Sequence, residues 1–337
     1  MRSGKSSRGK LLADQEKGEK IEKGRLPEKF FLMQPMMIRV CYGLLPCLTG
    51  SVYFFGLRSL VLTAVVLVFG IAAEGAFTLP QGKPITSAVF VSSLILSLSI
   101  PPTTPFWIAA ISIVFAIVFG KMVFGGFGYN VFNPAMVGRC FIYVTFPIAL
   151  TARWVEPFTG TYGGFSVWSP PVDALTTATP LAILKAGKAY PLVKLLMGNI
   201  PGSLGETSVW LILLGGIYIV ATKSAQWRLV VSCLLGGTVV GSAFWVAGIP
   251  RVPDPLTYLM AGSFLFGAFF VVTEPVSGPK TKGAQWIYGF IIGGVTLVIR
   301  RFSSFSAGIM FATLFMNMFV PIMDIAVNEV RGKRKQT

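Results

Sequence analysis

Three threonine hydroxyls, Thr176, Thr177 and Thr179, crowd beside Ala178 in residues 173–182, DALTTATPLA. Alcohols next to small residues, on a loop that water reaches, suit a phosphoester link to a cofactor. The same run reads as a helix start, with Thr179 as cap and Pro180 at the first helical position. Both readings can hold together, because a helix N-terminus attracts phosphate.

Two other polar groups interrupt apolar sequence. Residues 123–139, VFGGFGYNVFNPAMVGR, set Gly125, Gly126 and Gly128, which permit close backbone approach, ahead of the amides of Asn130 and Asn133 and of Pro134. This pattern predicts a re-entrant turn. In residues 270–279, FVVTEPVSGP, Thr273 and Glu274 end a long apolar helix that Pro275 stops. Such groups either complete ordinary turns or serve a ligand, and polar groups at membrane depth are often functional. Glu74 lies in apolar sequence and is a candidate for an ion path, whereas Asp324, just ahead of the basic C-terminal tail, reads as a surface residue.

The elements that must position these groups are membrane helices. The 337-residue chain is 53% hydrophobic and only 12% charged, with a mean hydropathy of +0.71, which places it among integral membrane proteins. Ten apolar runs, centred near Leu45, Val66, Leu94, Ile113, Phe141, Ile212, Val239, Phe264, Ile292 and Leu314, are candidates to cross a hydrocarbon core of roughly 30 Å. Those around Leu94 and Phe141 are short or interrupted by proline and glycine. The expected fold class is therefore an all-α polytopic membrane protein of about ten spans, some of them half-helices.

With the N-terminus inside, twenty of the basic residues fall on the cytoplasmic side and eight outside, with Arg139 left within a helix. The positive-inside rule then puts both termini in the cytoplasm. The net charge of +16 is a topology signal and a match to anionic lipid. No basic patch interleaved with aromatic residues argues for nucleic acid. The absence of histidine excludes bis-histidine haem, histidine metal sites and imidazole relays. Cys41, Cys47, Cys140 and Cys233 lack metal-ligand spacing, so no metal site is expected.

Pro101 and Pro147 end apolar runs, as Pro275 and Pro321 do later, and Ile148 and Ile322 follow the second proline of each pair. This spacing divides the chain into a tail (residues 1–29), a five-helix unit (30–150), an extracytoplasmic loop (151–206), a second and inverted five-helix unit (207–327) and a basic end (328–337). Inverted repeats and broken helices suit a secondary transporter without redox cofactor as well as an electron-carrying subunit.

Taken in order, residues 30–56, FVSSLILSLSIPPTTPFW, GKMVFGGFGYNVFNPAMVGR, DALTTATPLA, and the stretch from FGAFFVVTEPVSGP to MFVPIMD resemble the signature segments of one membrane family. That family contains the RnfD component of the Rnf ferredoxin:NAD oxidoreductases and the NqrB component of the sodium-pumping NADH:quinone oxidoreductases. Met122 in GKMVFGG and the proline of ATPLA resemble the Rnf protein, whereas FVSSLILSLSIPPTTPFW leans towards the quinone enzyme. The Rnf reading is the one favoured.

The resemblance implies covalent flavin mononucleotide (FMN), joined through its phosphate to the last threonine of an S/T-G-A-T motif, here Thr179. Thr176 and Ala178 fill the first and third positions, and Thr177 stands where the family usually has glycine. Thr177 and Thr176 are the fallback attachment points. It also implies a second, non-covalent flavin, riboflavin, held near the cytoplasmic face by Asn130, Asn133 and the acid of a TDP motif, here Glu274, with Thr273 and Ser92 beside it. The implied role is that of a translocase component in a bacterial inner membrane, relaying electrons between ferredoxin and NAD and coupled to Na+ or H+ movement. Its implied partners are the other subunits of the complex and a flavin transferase.

Overall fold

The computed structural model describes residues 27, 29–158, 160, 162–170, 178–303 and 308–334. Helices dominate it. In chain order they are α1 (Pro35–Phe55), α2 (Leu57–Thr78), α3 (Ala88–Leu98), α4 (Phe106–Ile117), α5 (Pro134–Thr145), α6 (Pro147–Thr151), α7 (Pro180–Lys185), α8 (Leu192–Met197), α9 (Val209–Ala221), α10 (Trp227–Val246), α11 (Pro255–Met260), α12 (Phe264–Phe266), α13 (Lys282–Phe302) and α14 (Gly308–Arg334). Two short parallel strands, β1 (Phe31–Leu32) and β2 (Ile85–Thr86), pair near the start of the chain.

Each of the ten expected span centres falls inside a helix. Among the described residues, five helices are long and apolar enough to cross a bilayer: α1, α2, α10, α13 and α14. Shorter apolar helices accompany them, including α3, α4 with its continuation to Met122, and α9. The chain is thus an all-α, multi-pass membrane protein. The helix expected to run into Thr273 is in fact broken. After α11 the backbone turns extended at Ala261 and left-handed at Gly262, and α12 then widens into a π-helical turn, Gly267–Val271. A matching π turn, Val118–Met122, ends α4. Backbone breaks of this kind persist at membrane depth only where surrounding protein satisfies the freed groups.

The helices pack in two groups. In the first, α2 packs on α3 and α4, and α4 on α5; in the second, α10 packs on α11 and α13, and α13 on α14. The leading helices α1 and α9 meet each other. These contacts are very close because glycines line them, as expected where lipid tails leave no hydrophobic drive between helices and packing must supply the attraction. A Cβ on Gly215 of α9 would stand 1.9 Å from the carbonyl oxygen of Gly43 in α1. On the α10–α13 seam, a Cβ on Gly236 would stand 2.0 Å from the Phe290 carbonyl oxygen, and one on Gly293 2.0 Å from that of Cys233.

The loops gather at two ends. At one, Leu57 N and Arg58 N donate to Val167 O and Trp168 O, and Gly205 N donates to Leu98 O. At the other, β1 pairs with β2, and Arg39 donates to Thr222 O. Asp324, expected at the surface, is partly exposed and also tied down there: its carboxylate accepts from the backbone N–H groups of Lys280 and Thr281 and from the Thr281 hydroxyl.

Replacing Gly293 with alanine forces α10 and α13 apart at backbone level and costs about 1–3 kcal/mol. A lowered melting temperature of the purified protein checks this, with Gly160→Ala, whose Cβ meets nothing within 4 Å, expected to leave it unchanged.

Candidate functional site

At the end where β1 and β2 pair, the two polar segments read from sequence come together. Pro134 starts α5, and the Asn133 side chain caps it, accepting from Met136 N at 3.4 Å. The same amide donates across the fold to Val271 O, the last residue of the second π turn, at 3.3 Å. Two residues on, the Thr273 hydroxyl donates back to Phe269 O at 2.5 Å. The Glu274 carboxylate accepts from Ser277 N at 3.0 Å and from the Ser277 hydroxyl, and the Asn130 side chain also hydrogen-bonds it. Glu274 is therefore held by its own turn and not by Lys280 or Lys282.

Ser92 on α3, Asn133, Thr273 and Glu274 line one cavity, with Met37, Val91, Ile95 and Phe270 supplying apolar walls. Asn130 touches it through Glu274. Gly125, Gly126 and Gly128 all take positive φ, and a Cβ on any of them would meet no described atom closer than 3.6 Å. Their freedom is used for backbone conformation. The donor set suits the edge of a flavin ring, offering amide, hydroxyl and carboxylate groups between apolar walls. The space does not: the cavity holds about 30 Å³, against the 300 Å³ or more of typical ligand sites. The cavity as it stands does not admit a flavin ring.

Sequence reasoning missed a residue that joins the two segments. Asn317 of α14, 1% exposed, donates to Val131 O at 3.2 Å and Ser277 O at 3.3 Å, and accepts from the Tyr288 hydroxyl at 3.2 Å. A single amide inside FATLFMNMFVPIM was the available signal.

Glu74 proves to be half of a buried network. Its carboxylate meets the Lys121 ammonium at 2.6 Å, with the two side chains 1% and 2% exposed. Its other oxygen accepts from Thr86 N at 2.9 Å and the Thr86 hydroxyl at 2.6 Å, and Lys121 also donates to that hydroxyl at 2.7 Å. With both oxygens engaged, Glu74 anchors the first π turn to α2 and β2. Lys121, one of the twenty basic residues that the charge count places on the cytoplasmic side, is the unanticipated partner.

Thr179 lies at the opposite end of the helices. Its hydroxyl caps α7, accepting from Ala182 N at 3.3 Å, with Pro180 in the first position as expected. The side chain is half-buried and faces a cavity of about 60 Å³ that Arg139, Glu206 and Gly262 also line. Arg139 of α5 meets Glu206 there at 2.7 Å, a buried pair absent from the sequence reading. An ester at Thr179 leaves its oxygen able to accept the capping bond, so the residue fits a phosphoester link. Thr176 and Thr177 lie outside the described residues.

A model of the NQR2, RnfD, RnfE family matches residues 31–332. The chain belongs to this family. It is 32% identical over 322 residues to the D component of the ion-translocating oxidoreductase complex of Actinobacillus succinogenes, covering 86% of this chain and 90% of that protein. It is 34% identical over 307 residues to the B component of the Na(+)-translocating NADH-quinone reductase of Yersinia pestis, covering 86% and 70%. To the component of the same name in Azotobacter vinelandii it is 35% identical over 298 residues, covering 85% and 70%. Identity to the two groups is nearly equal.

Lys121→Met strands the Glu74 carboxylate without its cation and is expected to destabilise the protein by about 3–5 kcal/mol. Adding Glu74→Gln removes the stranded charge and restores most of that loss. Thermal unfolding of the two single variants and the double variant measures the coupling.

Proposed function

We propose that this chain is the flavin-carrying membrane subunit of a redox-driven, ion-translocating oxidoreductase complex of the Rnf type. Family membership supports the coarse statement, that it is a membrane subunit of such a complex and works with the other subunits. The observation that carries the finer reading is the placement of the two polar sites. The Thr179 cavity and the Asn133–Glu274 cluster are separate: Arg139 of α5 lines the first and Asn133, which caps the start of the same helix, lines the second.

Thr179 holds FMN through a phosphoester, with Thr177 and Thr176 as fallback positions, and an external flavin transferase makes the link from the side that the 151–206 loop faces. That side is extracytoplasmic, with both termini in the cytoplasm of a bacterial inner membrane and the two five-helix halves inverted. FMN when bound supplies one-electron chemistry. The chain's own residues supply position: the α7 cap orients the attachment oxygen, and the buried Arg139–Glu206 pair fixes the wall behind it. At the other site, Asn130, Asn133 and Glu274 present the polar edge at which riboflavin is expected. The electron donor, ferredoxin, and the acceptor, NAD, are bound by other subunits, a reading supported by the lack, among the described residues, of a nucleotide-binding glycine turn between strand and helix. Ion movement, of Na+ or H+, is coupled through the complex.

An NqrB role in a sodium-translocating NADH:quinone enzyme is the second reading, favoured by identities of 34% and 35% to such proteins. A cofactor-free transporter is the rival of another class. Co-expression with a flavin transferase is expected to give a fluorescent flavin band in a denaturing gel, lost in Thr179→Ala and kept in Thr179→Ser. A dark wild-type band sinks the covalent assignment, and fluorescence that survives Thr179→Ala moves it to a fallback threonine. Riboflavin extracted from native protein, and lost in Glu274→Leu, tests the second site.

A further inference from the structure

A second cavity adjoins that of Thr179, sharing Leu181 with it, and its lining is strongly one-signed. Lys185 of α7, Arg251, Arg300 and Arg301 surround about 290 Å³, together with Tyr258, Pro253 and Ser303, and among the described residues no carboxylate lines it. Arg300 is 0% exposed. One of its nitrogens donates to Tyr258 O at 2.9 Å, while Nε and the remaining terminal nitrogen have no hydrogen-bond partner among the described residues. Arg301 Nε is likewise buried without one. Buried donors left unmade are costly, and those of a guanidinium are costlier than most.

The nearby acids are committed elsewhere. Glu206 accepts from Arg139 at 2.7 Å, and the Asp254 carboxylate caps α11, accepting from Thr257 N and the Thr257 hydroxyl. Two local features explain part of the arrangement. Arg300 and Arg301 occupy the last turn of α13, where cations favour the helix dipole, and Lys185 donates to Ser303 O at 3.0 Å. Neither uses the open guanidinium nitrogens. Burial, reinforced by the charges of Arg300 and Arg301, holds the Lys185 ammonium below the usual lysine range, the mark of cations crowded without a counter-charge. Arg251 sits at φ +60°, a left-handed conformation rare outside glycine, asparagine and aspartate.

We propose that this cavity is a binding site for a phosphate-bearing anion. Guanidinium groups match phosphate oxygens with paired N–H donors, a planar fork that a lone ammonium lacks. The cavity is close in volume to the smaller sites that hold organic ligands, so it admits a phosphorylated headgroup or a free oligophosphate. Its ligand reaches it from the Thr179 end of the helices. The site does not depend on flavin attachment at Thr179.

The test uses full-length protein made without a flavin transferase and kept in uncharged detergent. Inorganic pyrophosphate is titrated by calorimetry, and phosphatidylglycerol binding is followed by native mass spectrometry. The wild type is expected to bind one or both saturably, and Lys185→Gln/Arg251→Gln to weaken binding by about tenfold or more, as loss of charged hydrogen bonds implies. Arg300 is left in place because its removal risks the fold. Binding of pyrophosphate without lipid identifies the ligand as a free phosphate compound, and preference for the lipid identifies a headgroup. Arg153→Gln/Lys194→Gln removes two equally basic charges of the 151–206 loop outside the cavity and is expected to bind as the wild type does. No saturable binding of either probe overturns the proposal. So does an equal loss of affinity in the two double variants.

Discussion

A backbone N–H or C=O group left unpaired in hydrocarbon costs several kcal/mol, and every departure from regular helix in this molecule answers to that constraint. The breaks after α3 and around α12 are buried within protein, and the one between α4 and α5 is buried at Lys121, Asn130 and Asn133 while Val123 and Tyr129 stay exposed. At each polar one, side chains take over from the missing helical bonds. Asn133 accepts one N–H of α5 and donates to the carbonyl of Val271, and Asn317 donates to carbonyls of both polar turns. The polar cluster at that end therefore exists first as the repair of two interrupted helices. Its availability to a ligand follows from the same groups standing together at a cavity wall.

The glycine seams make such repair possible. Because α10 and α13 approach at backbone distance, and α1 meets α9 in the same manner, the long helices form a rigid frame that lipid contact could not supply. The broken elements are held inside that frame. The π turns at Val118–Met122 and Gly267–Val271 each lead directly into a polar segment. The first carries Lys121 inward to Glu74, where the ion pair and the Thr86 bonds satisfy two charges that hydrocarbon would otherwise expel.

Electrostatically the two ends differ. Near Asn133 the charged groups are engaged within the protein, with Glu74 and Lys121 paired and Glu274 hydrogen-bonded by its own turn. Near Thr179 a single pair, Arg139 with Glu206, stands beside a cavity lined by four cations and, among the described residues, by no acid. That asymmetry gives the Thr179 end a standing preference for anions, in keeping with a phosphoester link there.

Much of this was legible from residue order alone, wherever the cause is local. Hydrophobic runs locate ten helices, five of them long and apolar enough to cross a bilayer, because helix formation in a bilayer depends on the run itself. Thr179 before Pro180 and Asn133 before Pro134 declare helix starts, since a cap involves only three or four consecutive residues. The glycines of GGFG take positive φ for an equally local reason. What the sequence could not determine is who meets whom across the fold. Glu74 and Lys121 are 47 residues apart, and Arg139 and Glu206 are 67 apart, so their pairing depends on how helices pack. Arg300 counts in the charge tally only as one of the eight basic residues on the outer side, yet it is buried, because the last turn of α13 is covered by Tyr258, Phe264 and the α7 segment. Charge counting assigns a side of the membrane; only packing decides whether a charge reaches water there.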